Sequence, residues 1–126
     1  MAVPKDCKYA QTHEWFRVNG KTVTLGITQF AADELTDITY VALPEVGKSV
    51  TAGQSFGEVE SVKATSDLYS AVTGKVVEVN KKLADQPNLV NDDPQGEGWM
   101  VKIESSDLSP LDKLMDAATY EKMLQG

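Results

Sequence analysis

The chain has 126 residues, 41% of them hydrophobic and 25% charged, with 12 basic residues against 19 acidic ones and a net charge of −7. That length fits one domain around one core, and the acidic balance argues against nucleic acid or an anionic membrane as partner, since both require a basic face. No apolar run reaches the ~20 residues that cross a bilayer, residues 1–6 carry neither a signal core nor a transit helix, and Cys7 stands alone, so a cytoplasmic monomer is expected, or a processed form in the mitochondrial matrix.

In chain order, the first two-thirds read as β. Residues 13–18 and 22–28 form strands across Asn19-Gly20, a dipeptide that favours a hairpin turn. Thr28 stands where an N-cap would open a short helix through Leu35, and residues 38–43 return to a strand that Pro44 ends. Residues 46–53, punctuated by Gly47 and Gly53, read as a short strand and a turn. Residues 54–60 fit a half-buried strand if Gly57 is discounted, and residues 68–72 a second strand closed at Thr73-Gly74. Together, about 54–73 forms a hairpin with Lys63 at its corner. Residues 75–80 make another strand. A long connection, 81–98, carries the turn chemistry of Gln86-Pro87-Asn88 and Asn91-Asp92-Asp93-Pro94, and residues 99–104 supply a last strand. A helical tail occupies about 109–125. It opens with Ser109 as N-cap ahead of Pro110, and Asp116 caps a final helix on which Tyr120, Met123 and Leu124 share a face.

Few residues offer independent catalysis. His13 is the only histidine, and there is no nucleophile elbow, phosphate-cradling loop or dinucleotide fingerprint. Asn91-Asp92-Asp93 lacks the spaced acids of a calcium loop and reads as a solvated turn, so no metal site is expected. A small enzyme built on Cys7, His13 and Glu14 remains one alternative. Lys63 is the other candidate centre. A lysine at a hairpin corner is most often merely solvated, but its whole stem can also stand in reach of another protein's active site.

The string Phe56-Gly57-Glu58-Val59-Glu60-Ser61-Val62-Lys63-Ala64 resembles the lipoylation site of the glycine cleavage H-protein family. Thr12-His13-Glu14-Trp15, Leu25-Gly26-Ile27-Thr28, Leu43-Pro44-Glu45-Val46-Gly47, Val77-Glu78-Val79-Asn80 and Gly96-Glu97-Gly98-Trp99 resemble that family's blocks in the family's order. The likeness runs from about Lys8 to Leu124. Thr12 stands where a serine is common, and Gln29 where an acidic residue is.

The resemblance implies a mainly β fold with small helical additions, a flattened barrel-sandwich hybrid of the lipoyl/biotinyl type with C-terminal helices, as one domain over 1–126. It implies lipoate joined to Lys63, with Thr12, Glu14 and Asp67 lining a pocket for the loaded arm. Glu58, Glu60 and Asp67 would serve recognition by the lipoylating enzyme. The implied role is a non-catalytic carrier. It would take an aminomethyl group from a pyridoxal-phosphate glycine decarboxylase to a tetrahydrofolate-dependent aminomethyltransferase, and electrons to dihydrolipoamide dehydrogenase. A biotin carrier would typically flank the lysine with methionines, and a lipoyl domain of a 2-oxo acid dehydrogenase would place Asp before it; here Val62 and Ala64 flank Lys63. A relay of octanoyl or lipoyl groups to other proteins is not separated from glycine cleavage by these residues.

Overall fold

The computed structural model describes residues 3–125. Met1 and Ala2, part of the N-terminal stretch considered above for a targeting segment, lie outside the described residues, as does Gly126. Among the described residues nine strands form in chain order: β1 (Lys8–Tyr9), β2 (Glu14–Asn19), β3 (Thr22–Ile27), β4 (Ile38–Ala42), β5 (Ser49–Val50), β6 (Ser55–Ser61), β7 (Thr65–Tyr69), β8 (Gly74–Val79) and β9 (Val101–Glu104). They pair antiparallel into a six-stranded sheet, ordered β1-β2-β3-β9-β8-β5, and a three-stranded sheet, ordered β4-β6-β7. The two sheets are sandwich-like and do not close into a barrel.

Alternation explains how they share a core. Phe16, Val23, Leu25, Val76 and Ile103 from the larger sheet and Val41, Val59 and Leu68 from the smaller one join a single buried cluster, each side chain removed from water contributing on the order of 1.5–3 kcal/mol. A second cluster sets Tyr9 and Trp15 against the C-terminal helix. There the Tyr9 and Tyr120 rings stack with centroids 4.7 Å apart, and Met115 and Met123 pack at the edge.

Helix α1 (Gln29–Leu35) begins as expected, with the Ala31 amide donating to the Thr28 hydroxyl. The exemption of Gly57 from alternation also has a physical cause. The β6–β7 register shifts between Ser55 and Gly57, and a Cβ on Gly57 would lie 2.2 Å from the Ala42 carbonyl oxygen on β4. Only a glycine lets the two backbones approach this closely at the bulge.

Other expectations need correction. The second hairpin strand runs over Thr65–Tyr69 rather than 68–72. Its polar start hides it from pattern reading, because β7 is an edge strand whose Thr65, Ser66 and Asp67 face water. The 81–98 connection holds two single-turn helices, α2 (Lys82–Asp85) and α3 (Leu89–Asp92), anchored by buried Leu83 and Val90. Four residues are too few to display helical periodicity. Ser109 does not cap a helix. It lies inside a 3₁₀ turn, Ser109–Lys113, with its amide and hydroxyl both donating to Asp107 Oδ1. Asp116 does act as expected, accepting from the Thr119 amide at the start of α4 (Ala117–Gln125).

Candidate functional site

The correction to β7 shortens the lysine loop to Val62, Lys63 and Ala64. Ser61 closes it from within: its amide donates to the Ala64 carbonyl at 2.8 Å, and its hydroxyl accepts from the Lys63 and Ala64 amides at 3.1 and 3.0 Å. Such a tip holds its shape without covering the side chains. Lys63 is exposed, and its Nζ donates to the Glu34 carbonyl at 3.2 Å at the C-terminal end of α1. Val62 beside it is 70% exposed.

The strand register places the three predicted recognition acids. Glu58 pairs across from Asp67, and Glu60 lies between Tyr40 on β4 and Thr65 on β7. The period of two puts all these side chains on the face opposite buried Val41 and Val59. Like charges directly opposite, as at Glu58 and Asp67, oppose strand pairing; here both are solvated. The result is an acidic face leading up to the lysine.

The other end of the hairpin meets a cleft. Tyr69, the last residue of β7, joins Ala10, Thr12, Glu14, Phe16 and Ser70 in lining a space of about 330 Å³. Glu14 opens β2 and is only 2% exposed. Burial against the cleft's apolar walls pushes its carboxyl up to about 7; a hydrogen bond donated by the Thr12 hydroxyl and one from the Tyr69 amide at 3.4 Å hold it back from rising further. Its protonation therefore changes in the neutral range.

The turn before Glu14 is held from outside. His13 adopts φ +72°, and its ring is fixed by Tyr120 Oη at 2.7 Å and by Phe30 at a 4.7 Å centroid distance. The Tyr120 hydroxyl also meets Thr28 Oγ1 at 2.7 Å. His13 thus ties the C-terminal helix to the loop that aims Thr12 and Glu14. Cys7 is elsewhere engaged, between Asp6 and Gln95, and burial raises its thiol to about 11. The structure forms no Cys7–His13 pair.

The sites expected from sequence fall into two groups. Thr12 and Glu14 meet in the cleft, but Asp67 is exposed and outside its lining, linked to it by the Tyr69 hydroxyl at 3.5 Å. Among the described residues no group of three or more His, Cys, Asp or Glu is arranged to hold a metal. None of their helices is long and apolar enough to cross a membrane. Tyr69 escaped sequence reasoning, since nothing in Leu68-Tyr69-Ser70 separates a cleft residue from a strand residue.

A β sandwich that displays one lysine on a rigid hairpin tip, with a cleft at the hairpin's base, defines a carrier domain of the lipoyl/biotinyl type. Residues 7–126 match the family model described as Glycine cleavage H-protein. Across 98% of its length the chain is 54% identical to the glycine cleavage system H protein of Carboxydothermus hydrogenoformans, covering 95% of that protein. It is 54% identical to glycine cleavage system H protein 2, mitochondrial, of Arabidopsis thaliana, covering 79% of it. The crystal structure of a glycine cleavage system H protein from Mycobacterium marinum superposes with a TM-score of 0.90 at 37% identity, over 98% of this chain and 100% of that one. The chain belongs to the glycine cleavage H-protein family.

Proposed function

We propose that the chain is the lipoyl carrier of a glycine cleavage system, a single unit over residues 1–126 with lipoate joined to Lys63 as an amide. The observation that carries this is the β6–β7 hairpin, which exposes a lysine at its tip and abuts the Glu14 cleft at its base. The residues fit such a group. Lys63 offers a primary amine whose hydrogen bond goes to a backbone carbonyl, with no carboxylate among the described residues salt-bridged to it, and the cleft has apolar walls for a hydrocarbon arm. Bound lipoate supplies a dithiolane that accepts electrons and a carbon fragment and is restored by thiol–disulfide exchange.

The chain's own residues then have three tasks. Lys63 provides the attachment point. Glu58, Glu60 and Asp67 present negative charge to a basic lipoylating enzyme. Glu14, kept in place by the Thr12 hydroxyl and the Tyr69 amide, rests largely poised between protonated and ionised forms, and ionises fully when an ammonium group is brought beside it. The partners are the glycine decarboxylase, the aminomethyltransferase, dihydrolipoamide dehydrogenase and the lipoylating enzyme, and the carrier needs no catalytic residue of its own.

Expression in a lipoate-supplied host, followed by intact-mass measurement and peptide mapping, tests this. One lipoyl group should appear, on Lys63. Lys63→Arg should fold as the parent does and take up none, because a guanidinium remains protonated and cannot attack an acyl group. Lipoate on a different lysine of the parent chain would overturn the assignment.

A further inference from the structure

The lysine tip is held to the rest of the molecule by the turn between α1 and β4. The Asp37 carbonyl accepts from the Val62 amide at 3.1 Å, and the Glu34 carbonyl from Lys63 Nζ at 3.2 Å. Between these two acceptors sits Thr36, at φ 65° and ψ −142°. That conformation is open to glycine and resisted by a β-branched residue. Left alone, the peptide planes around Thr36 would turn toward an ordinary conformation and carry the Asp37 carbonyl away from the tip.

One side chain opposes that rotation. Asn91, half-buried on α3, donates through Nδ2 to the Thr36 carbonyl at 2.6 Å and to the Ala32 carbonyl at 3.4 Å. Its Oδ1 accepts from the Ile38 amide at 2.9 Å. The clamp therefore grips α1, the strained residue and the first residue of β4 together. Its own position is secured by buried Val90 and by Gln29 Nε2, which donates to the Asn91 carbonyl at 3.0 Å. An asparagine satisfies this arrangement because it carries both donors and an acceptor in one plane.

We propose that Asn91 is a positioning residue for acylation of Lys63: its amide fixes the strained α1–β4 turn, and that turn holds the lysine tip in the geometry a lipoylating enzyme meets. The inference rests on Lys63 being the lipoylated residue. It assigns Asn91 no contact with the arm or the enzyme.

The experiment uses the full, unmodified chain and a purified lipoylating enzyme, at a temperature where every variant stays folded by circular dichroism. Lipoyl transfer to Lys63 is measured for the parent, Asn91→Ala, Thr36→Gly and the Asn91→Ala/Thr36→Gly double variant, alongside amide exchange at Ser61 and Val62. Asn91→Ala should lower kcat/KM for transfer about tenfold, the scale on which misplacement of a reacting group acts. It should expose the Val62 amide, whose acceptor lies on the turn, while the Ser61 amide, bonded within the tip, keeps its protection. The double variant should regain most of the rate, since glycine adopts the turn without a clamp. If Asn91→Ala does not fold, Asn91→Asp keeps the acceptor for Ile38 and loses both donors, and the same order is expected. Transfer to a folded Asn91 variant at the parent rate, or a loss that Thr36→Gly fails to recover, overturns the proposal. A parent chain that takes no lipoate at Lys63 overturns the carrier assignment itself and the proposal with it.

Discussion

Glu14→Gln should make the protein more stable in mild alkali and remove Glu14's share of the fall in stability with rising pH. The carboxyl is 2% exposed, and burial lifts it from an ordinary 4.5 to about 7. The folded state thus holds the proton more tightly than the unfolded chain does. The stabilisation this gives is complete below pH ~4.5 and is lost as pH rises through about 7, a difference worth about 3 kcal/mol. Glutamine cannot ionise, and it can still use both neighbours: its Oε1 accepts from the Tyr69 amide and its Nε2 donates to the Thr12 hydroxyl. Urea denaturation of parent and variant at several pH values between 4 and 8.5 measures the gap. Relative to the parent, the variant should gain about 3 kcal/mol across that range, on the order of 10 °C in Tm for a chain of this size. Comparing the two chains cancels other titrations, including that of His13, whose burial lowers its pKa. Parallel pH profiles would show that Glu14 is not held in the desolvated state described above.

Glu14→Ala should leave lipoylation of Lys63 unchanged but speed the loss of ammonia from carrier loaded by glycine decarboxylase, measured without aminomethyltransferase; equal rates would remove Glu14 from that role. Glu60→Lys, at an exposed position, should keep stability within ~0.5 kcal/mol yet slow lipoylation, and an unchanged rate would mark Glu60 as a solvated strand acid. Gly57→Ala should destabilise by about 1–3 kcal/mol, because the new Cβ would lie 2.2 Å from the Ala42 carbonyl oxygen. An unaltered denaturation midpoint would contradict the close approach of β4 and β6.

Where local chemistry determined structure, the sequence was legible. Thr28 and Asp116 cap helices because their side chains satisfy nearby amides, a rule that needs no tertiary information. The Asn19-Gly20 hairpin follows similarly from Gly20 at φ +66°. Tertiary context decided the rest. Thr65-Ser66-Asp67 becomes a strand because β6 lies beside it, and α2 and α3 form because Leu83 and Val90 reach the core. The same division holds at the site. Lys63 at a hairpin corner can be read from its flanking strands, whereas the place of Glu14 in a cleft is implied only by resemblance, since its depth depends on Phe16, Tyr69 and Ser70 gathering around it. Asn91, which reads in sequence as part of a solvated turn, is a clamp because α3 brings it against α1.

The depth of Glu14 also determines what the cleft can distinguish. At pH 8 an ionised Glu14 in the empty cleft is disfavoured by about 3 kcal/mol relative to water, the quantity set by its raised pKa. An ammonium group entering the cleft restores a partner for that charge and can recover much of this amount, while a neutral arm recovers none. Under the proposed carrier function, the cleft would then hold a cationic load up to roughly two powers of ten more tightly than a neutral arm. A solvated carboxylate at the same place would give a smaller contrast, because exposed ion pairs are worth only about 0–1 kcal/mol. On the proposed function, selective retention of a charged load would follow from burying one acid at the base of the hairpin, leaving the three exposed acids along its outer face for the proposed lipoylating enzyme.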